Sequence, residues 1–199
     1  MKSLLKSVKH NMAVVFFKVN RWSCDYLPKE VGDKFVLIGF PHNTNKDGPL
    51  GVAYSFYNRK RISPMMKKEL FVWPFSVFFN LMGFISIDRS SKHNVVDQIA
   101  DEFSKKEKFI PAIMPEGTRS DVKSIKTGFW NIAKKADVPI VLLYKDHKQR
   151  RLRILAHIKT SDSIIDDLLK IEDIYKKEGY QIPVEETIQR LKNKISEKK

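Results

Sequence analysis

The sequence predicts an α/β domain with helices packed against a mostly buried sheet. Three observations predict it. Short apolar runs of strand length alternate with segments of helical periodicity. The chain has 199 residues, which fits one domain with terminal arms. Its residues are 42% hydrophobic, enough to build a core and too many for wholesale disorder.

The elements follow in order. Residues 34–40, KFVLIGF, form an apolar run that reads as a buried strand, ending at Pro41. The polar stretch 42–49 has turn composition, and a helix is expected over 50–57. Residues 61–65 make a weak strand, a helix opens at Lys67 or Lys68 and runs toward Met82, and 84–87 is a short strand. Val95, Val96, Ile99, Ala100 and Phe103 share one side of a helix over 94–106. Strands are expected at 109–114, 138–144 and 152–158, with a helix over 127–136. Two helices with polar faces, over 163–177 and 184–195, close the chain.

Two apolar segments have two readings each. Near the N-terminus, Leu4, Leu5, Val8, Met12, Val15, Phe16 and Val19 recur at helical spacing, with Lys2, Lys6 and Lys9 between them. This is a basic amphipathic helix, either packed on the domain or lying at a membrane interface. No clear cleavage site follows its apolar run, and the run is too short to span a bilayer, which argues against a signal peptide or a span. Residues 1–31 are therefore set apart from the domain at 32–199. The second segment, 71–87, has no charged residue but is interrupted by Pro74, Asn80 and Gly83. It reads as a buried helix and strand, or as an apolar surface meeting lipid or an acyl chain.

Charge narrows the partners. The formal net charge is +14, which suits an anionic partner. The chain has no zinc spacing, basic zipper or RNP-type aromatic motif, so nucleic acid is not expected. An anionic membrane surface fits, at about 1 kcal/mol per nearby Lys or Arg. So do acidic acyl carriers and phosphorylated small molecules. Cys24 is the only cysteine, so no intrachain disulfide can form and a reducing compartment is expected. The five histidines are scattered without metal-ligand spacing, so no metal site is expected.

Two runs carry chemistry. In GFPHNTNKDGP, Asp47 follows His42 by five residues. On a regular helix such positions point about 140° apart, so a dyad needs the turn that this composition supplies. Asp47 can then accept the Nδ1 hydrogen of His42 and leave Nε2 as a base, as in a catalytic triad. The plainer reading is a capping Asp beside an incidental His. His157 and Asp162 share the spacing, but His157 lies in a strand pattern and Ser161–Asp162 resembles a helix cap, so that pair reads as structural. The second run is MPEGTRS, with Glu116, Gly117, Thr118 and Arg119 at a strand end. Gly117 permits close backbone approach, and Arg119, like Arg89 in the loop after 84–87, can hold a phosphate bidentately. The plainer readings are an ordinary turn and a surface ion pair.

These residues together resemble a known family. HNTNKD resembles motif I (H-x4-D) of glycerolipid acyltransferases of the 1-acylglycerol-3-phosphate acyltransferase type. GFISIDRS resembles motif II, IMPEGTRS motif III, and KTGFWNIAKKADVPIVLL the stretch leading into motif IV. KKELFVWPF resembles a short bacterial branch. The resemblance implies a mixed sheet wrapped by helices, and 32–199 as the acyltransferase domain. It implies transfer of an acyl group from acyl-CoA or acyl carrier protein, as co-substrate, to the hydroxyl of a lysophospholipid acceptor, with no cofactor. His42 would be the base and Asp47 its orienting partner. Arg89, Glu116, Gly117, Thr118, Arg119 and Lys126 would bind the acceptor. Pro41, Lys46 and Met114 depart from the family's frequent residues; the first two flank the base, which bears on the acceptor and its orientation rather than on the reaction class. The location implied is cytoplasmic, or peripheral on the cytoplasmic face of a membrane. Other readings are a non-catalytic lipid- or anion-binding protein, or an acyltransferase with a different acceptor.

Overall fold

The computed structural model describes residues 2–42, 44, 47–88, 95–118, 120 and 122–197. Among these residues seven strands form one sheet in the order β1-β7-β6-β2-β5-β3-β4. They are β1 (Ser23–Cys24), β2 (Val36–Phe40), β3 (Ile62–Lys67), β4 (Ile85–Ile87), β5 (Ile110–Ile113), β6 (Ile140–Asp146) and β7 (Arg151–Ile158). β2 pairs in parallel with β5 and β6, and β3 with β5 and β4. β7 turns back antiparallel on β6, with a register shift at Leu142/Leu143, and β1 runs parallel to β7. The sheet is therefore mixed. All five residues of β2 are buried, as a central strand covered on both faces requires.

Among the described residues seven α-helices flank it: α1 (Lys2–Val19), α2 (Asp47–Tyr57), α3 (Phe75–Met82), α4 (Val95–Lys105), α5 (Gly128–Ala136), α6 (Ile164–Lys177) and α7 (Glu185–Ser196). The crossovers β2-α2-β3 and β3-α3-β4 move the same way along the sheet. Right-handed connections place α2 and α3 on one face, and those of α4 and α5, moving back, on the other. The two cores agree. Leu50, Ala53 and Tyr54 of α2 pack with Phe17, Leu27, Leu37 and Ile62 on one side. Ile99, Phe103, Phe129 and Ile132 of α4 and α5 pack with Ile38, Leu168 and Tyr175 on the other.

Several expectations are corrected. The helix expected from residue 50 begins at Asp47. The helix expected from Lys67 or Lys68 to Met82 is broken. Lys67 ends β3, Lys68–Leu70 make one 3-10 turn, and α3 starts only after Pro74, whose ring cannot continue a helix. No residue of α3 is buried, against the buried reading of this segment. β6 extends two residues past Tyr144, to Asp146. β1, two residues long, has too little pattern to be read from sequence. At α6 the cap is Ser163, whose hydroxyl accepts from the Asp166 N–H at 3.2 Å, and not Ser161–Asp162.

α1 packs on the domain, but of its apolar stripe only Phe16 takes part. Ala13 and Phe17 are buried, Phe17 meets Tyr57 edge-to-face at 5.6 Å, and His10 Nδ1 lies 2.7 Å from the Tyr57 carbonyl oxygen. Leu4, Leu5, Val8, Met12, Val15 and Val19 all face outward. Among the described residues no helix is long and apolar enough to cross a membrane.

Candidate active site

In open α/β sheets the carboxyl ends of parallel strands hold the binding groups. Here β2 delivers His42 and β5 delivers Glu116 on that same edge, because the two strands are parallel neighbours. The turn between β2 and α2 folds Asp47 back onto the histidine. His42 Nδ1 and Asp47 Oδ2 are 2.7 Å apart. A carboxylate beside Nδ1 favours, in the neutral ring, the tautomer with the hydrogen on Nδ1 and the lone pair on Nε2. Thr44 adds a hydroxyl donated to Asp47 Oδ1 at 2.9 Å.

A third partner comes from the far side of β2. Lys145, near the end of β6, donates to Asp47 Oδ1 from a side chain only 7% exposed. Burial pushes the Asp47 carboxyl up, but the hydrogen bond from His42, the bond and charge of Lys145, and the Thr44 bond outweigh it. They hold the carboxyl well below the usual carboxylate range. The anion that orients His42 is thus locked in its charged form. An apolar crevice bordering Asp47 is lined by Leu50, Tyr54, Met114, Leu143 and Leu152.

The second predicted run meets the first directly. The backbone N–H of His42 donates to Glu116 Oε2 at 2.6 Å. The hydroxyl of Tyr180, between α6 and α7, donates to Glu116 Oε1 at 2.8 Å. Glu116 therefore fastens the histidine loop to the loop after β5 and to the C-terminal helices. Gly117 has φ +68°, and a Cβ there would lie 2.9 Å from Cε and Nζ of Lys126, so the lysine stem crosses the bare glycine. Thr118 is exposed beside it. His42, Asp47, Glu116, Gly117, Thr118 and Lys126 thus gather on one edge. Arg89 and Arg119 lie outside the described residues. Among the described residues, no group of His, Cys, Asp or Glu is arranged to hold a metal.

The other His-x4-Asp pair separates: His157 faces Glu30 at 3.9 Å, and Asp162 pairs with Lys134 at 2.7 Å. Sequence reasoning missed Lys145 and Tyr180. A lysine at a strand end reads as surface, and Tyr180 is 64 residues from its partner. A family model, Acyltransferase, matches residues 25–145, from before β2 to Lys145. The chain belongs to the acyltransferase family. The acyltransferase fold is evident in three dimensions as well. The structure is similar to the crystal structure of the 1-acyl-sn-glycerophosphate (LPA) acyltransferase PlsC from Thermotoga maritima. The two chains are 14% identical, with a TM-score of 0.59 over 94% of this acyltransferase and 79% of that one. No curated protein sequence matches the chain.

Proposed function

We propose that this acyltransferase moves a fatty acyl group from acyl-CoA or acyl carrier protein to the free hydroxyl of a lysophosphatidic-acid-like glycerophospholipid, a step of phospholipid biosynthesis. One observation carries this reading: a histidine with Nδ1 bound 2.7 Å from a mostly buried carboxylate, its own backbone tied to the loop of Glu116. Family membership and the likeness to an LPA acyltransferase support it.

His42 Nε2 takes the proton as the acceptor oxygen attacks the thioester carbonyl carbon. The resulting oxyanion is met by backbone N–H groups at a helix start or by a nearby cation. It collapses, the carbon–sulfur bond breaks, and the departing thiolate takes the proton back from the imidazolium. No covalent enzyme intermediate is needed. Asp47 keeps the ring oriented and stabilises its charged form. Gly117, Thr118, Lys126, Arg119 and Arg89 supply the phosphate cradle, with Glu116 fixing its position. The apolar stripe of α1, with Lys6 and Lys9 on the same helix, rests peripherally on an anionic membrane surface at the cytoplasmic face, where the acceptor resides.

The test is thiol release from thioester donors of several chain lengths against lysophosphatidic acid, glycerol phosphate and lyso-aminolipids. Release with lysophosphatidic acid, lost in a folded His42→Ala enzyme, is expected. Full activity in purified His42→Ala rejects the assignment of the base.

A further inference from the structure

We propose that residues 70–82 form a wedge that inserts into the surface of an anionic phospholipid leaflet beside the active-site edge. This rests on the reading of the acceptor as a membrane-borne lipid. It adds to the contact of α1 a second one, made by a different segment.

The wedge is almost wholly apolar and almost wholly uncovered. α3 has no buried residue. Leu70, Val72, Phe75, Val77, Phe78 and Leu81 are each more than half exposed, and Trp73 is 83% exposed. Such a contiguous patch marks an interaction surface. It is also a built element, not a frayed one. Phe79 packs its ring against Phe71, Phe78 and Phe84 at 5.5–5.9 Å. The Arg61 guanidinium donates to the Asn80 carbonyl at 3.0 Å, and Gly83, at φ +92°, ends the helix. An outward face held by an inward aromatic cluster is shaped to stay outward.

Charge says what covers it. From Arg59 to Ile87 the chain carries Arg59, Lys60, Arg61, Lys67 and Lys68 against a single acid, Glu69. Lys67, Lys68 and Arg61 are exposed. Lys68 also reaches Asp88 at 3.0 Å and Lys60 reaches Asp33 at 2.9 Å. A cationic rim around an apolar centre complements acidic headgroups over acyl chains. Two copies of the same rim would repel, which disfavours a self-pair. Trp73 has the amphipathic ring that settles at the headgroup level.

Topology says where it points. The segment leaves the end of β3, the same sheet edge that carries His42 after β2 and Glu116 after β5. Handedness puts α3 on the face of the sheet that holds α2, and α1 packs on α2 with its apolar stripe outward. A leaflet touched by the wedge lies at the edge where the acceptor must enter.

The experiment uses the full chain and vesicles of phosphatidylcholine with and without phosphatidylglycerol. Trp130 is buried and Trp22 packs on His147, so Trp73 is the indole that meets lipid. With brominated acyl chains, wild-type emission is quenched and blue-shifted, and Trp73→Phe loses most of this response. Trp73→Ser/Phe78→Ser, with an unchanged melt, partitions onto anionic vesicles at least about tenfold more weakly. Its thiol release with a short-chain, monomeric lysophosphatidate stays within about twofold of wild type. Unchanged partition, or quenching unaffected by Trp73→Phe, overturns the wedge. Conversion of a self-associated species to monomer without loss of partition also overturns it, making this a contact between copies. If wild type fails to turn over the monomeric acceptor, the catalytic reading falls, and quenching still decides the wedge.

Discussion

Replacing Asp47 with Asn tests the charged centre of the site, because Asp47 answers to two cationic or potentially cationic partners at once. Its side chain is 10% exposed and that of Lys145 is 7%. Removing one partner of a buried pair costs about 3–5 kcal/mol, because the other charge is left uncompensated. The amide oxygen of Asn can still accept one hydrogen bond, so the low end applies, about 3 kcal/mol. At about 2–4 °C per kcal/mol for a chain of this size, Tm falls by about 6–12 °C. Lys145→Met leaves Asp47 with its bonds from His42 and Thr44 and costs about 2 kcal/mol. The double variant loses both charges together and costs no more than about 2 kcal/mol, so the cycle shows coupling of about 3 kcal/mol. The Asp47 carboxyl is depressed in the folded protein, so its contribution is full above its unfolded value of about 3.9. It is lost as pH falls through the folded value. The Tm gap between wild type and Asp47→Asn therefore holds through neutral pH and closes on acidification below about pH 4. Thermal melts of the four proteins across pH check this. Additive single effects, or a gap that widens in acid, would refute the buried ion pair.

Other perturbations probe neighbouring parts. His42→Ala should fold normally and lower turnover by about 10²–10⁴-fold, measured as thiol release. Arg119→Ala should raise the acceptor KM, and an unchanged KM would reject the phosphate-holding role. Gly117→Ala puts a side chain at φ +68° against the Lys126 stem. It should cost about 1–2 kcal/mol in a denaturant titration and raise acceptor KM more than it lowers kcat. Trp130→Phe deletes the 2.7 Å bond from Trp130 Nε1 to buried Asp167. The expected loss is about 1.5–3 kcal/mol of stability with KM unchanged, by melt and kinetics.

What the sequence disclosed depended on how local the signal was. The buried strand at 34–40, the polar turn after it and the glycine-bearing loop after β5 were legible because apolar runs and turn residues act over a few positions. Their meeting through the His42 N–H and Glu116 was not, since no periodicity links residues 74 apart. Lys145 was hidden by its setting, one residue past the expected end of an apolar strand. Residues 71–87 misled in a different way. A lack of charge signals an apolar environment but does not say whether protein or another phase supplies it, and the helix at 75–82 faces outward. α1 carries the same lesson, since it docks by Ala13 and Phe17 and turns its longer stripe away.

Tyr180 fastens the histidine loop from beyond residue 145, where the family match ends. Its ring is wedged among Phe40, Tyr144 and Tyr175, and the neighbouring Glu178 is gripped by Arg153. During synthesis on the ribosome, the dyad's two residues emerge long before this latch does. A nascent chain exposes this histidine early but secures its backbone only after α6 has emerged, so the geometry of the histidine loop is set late.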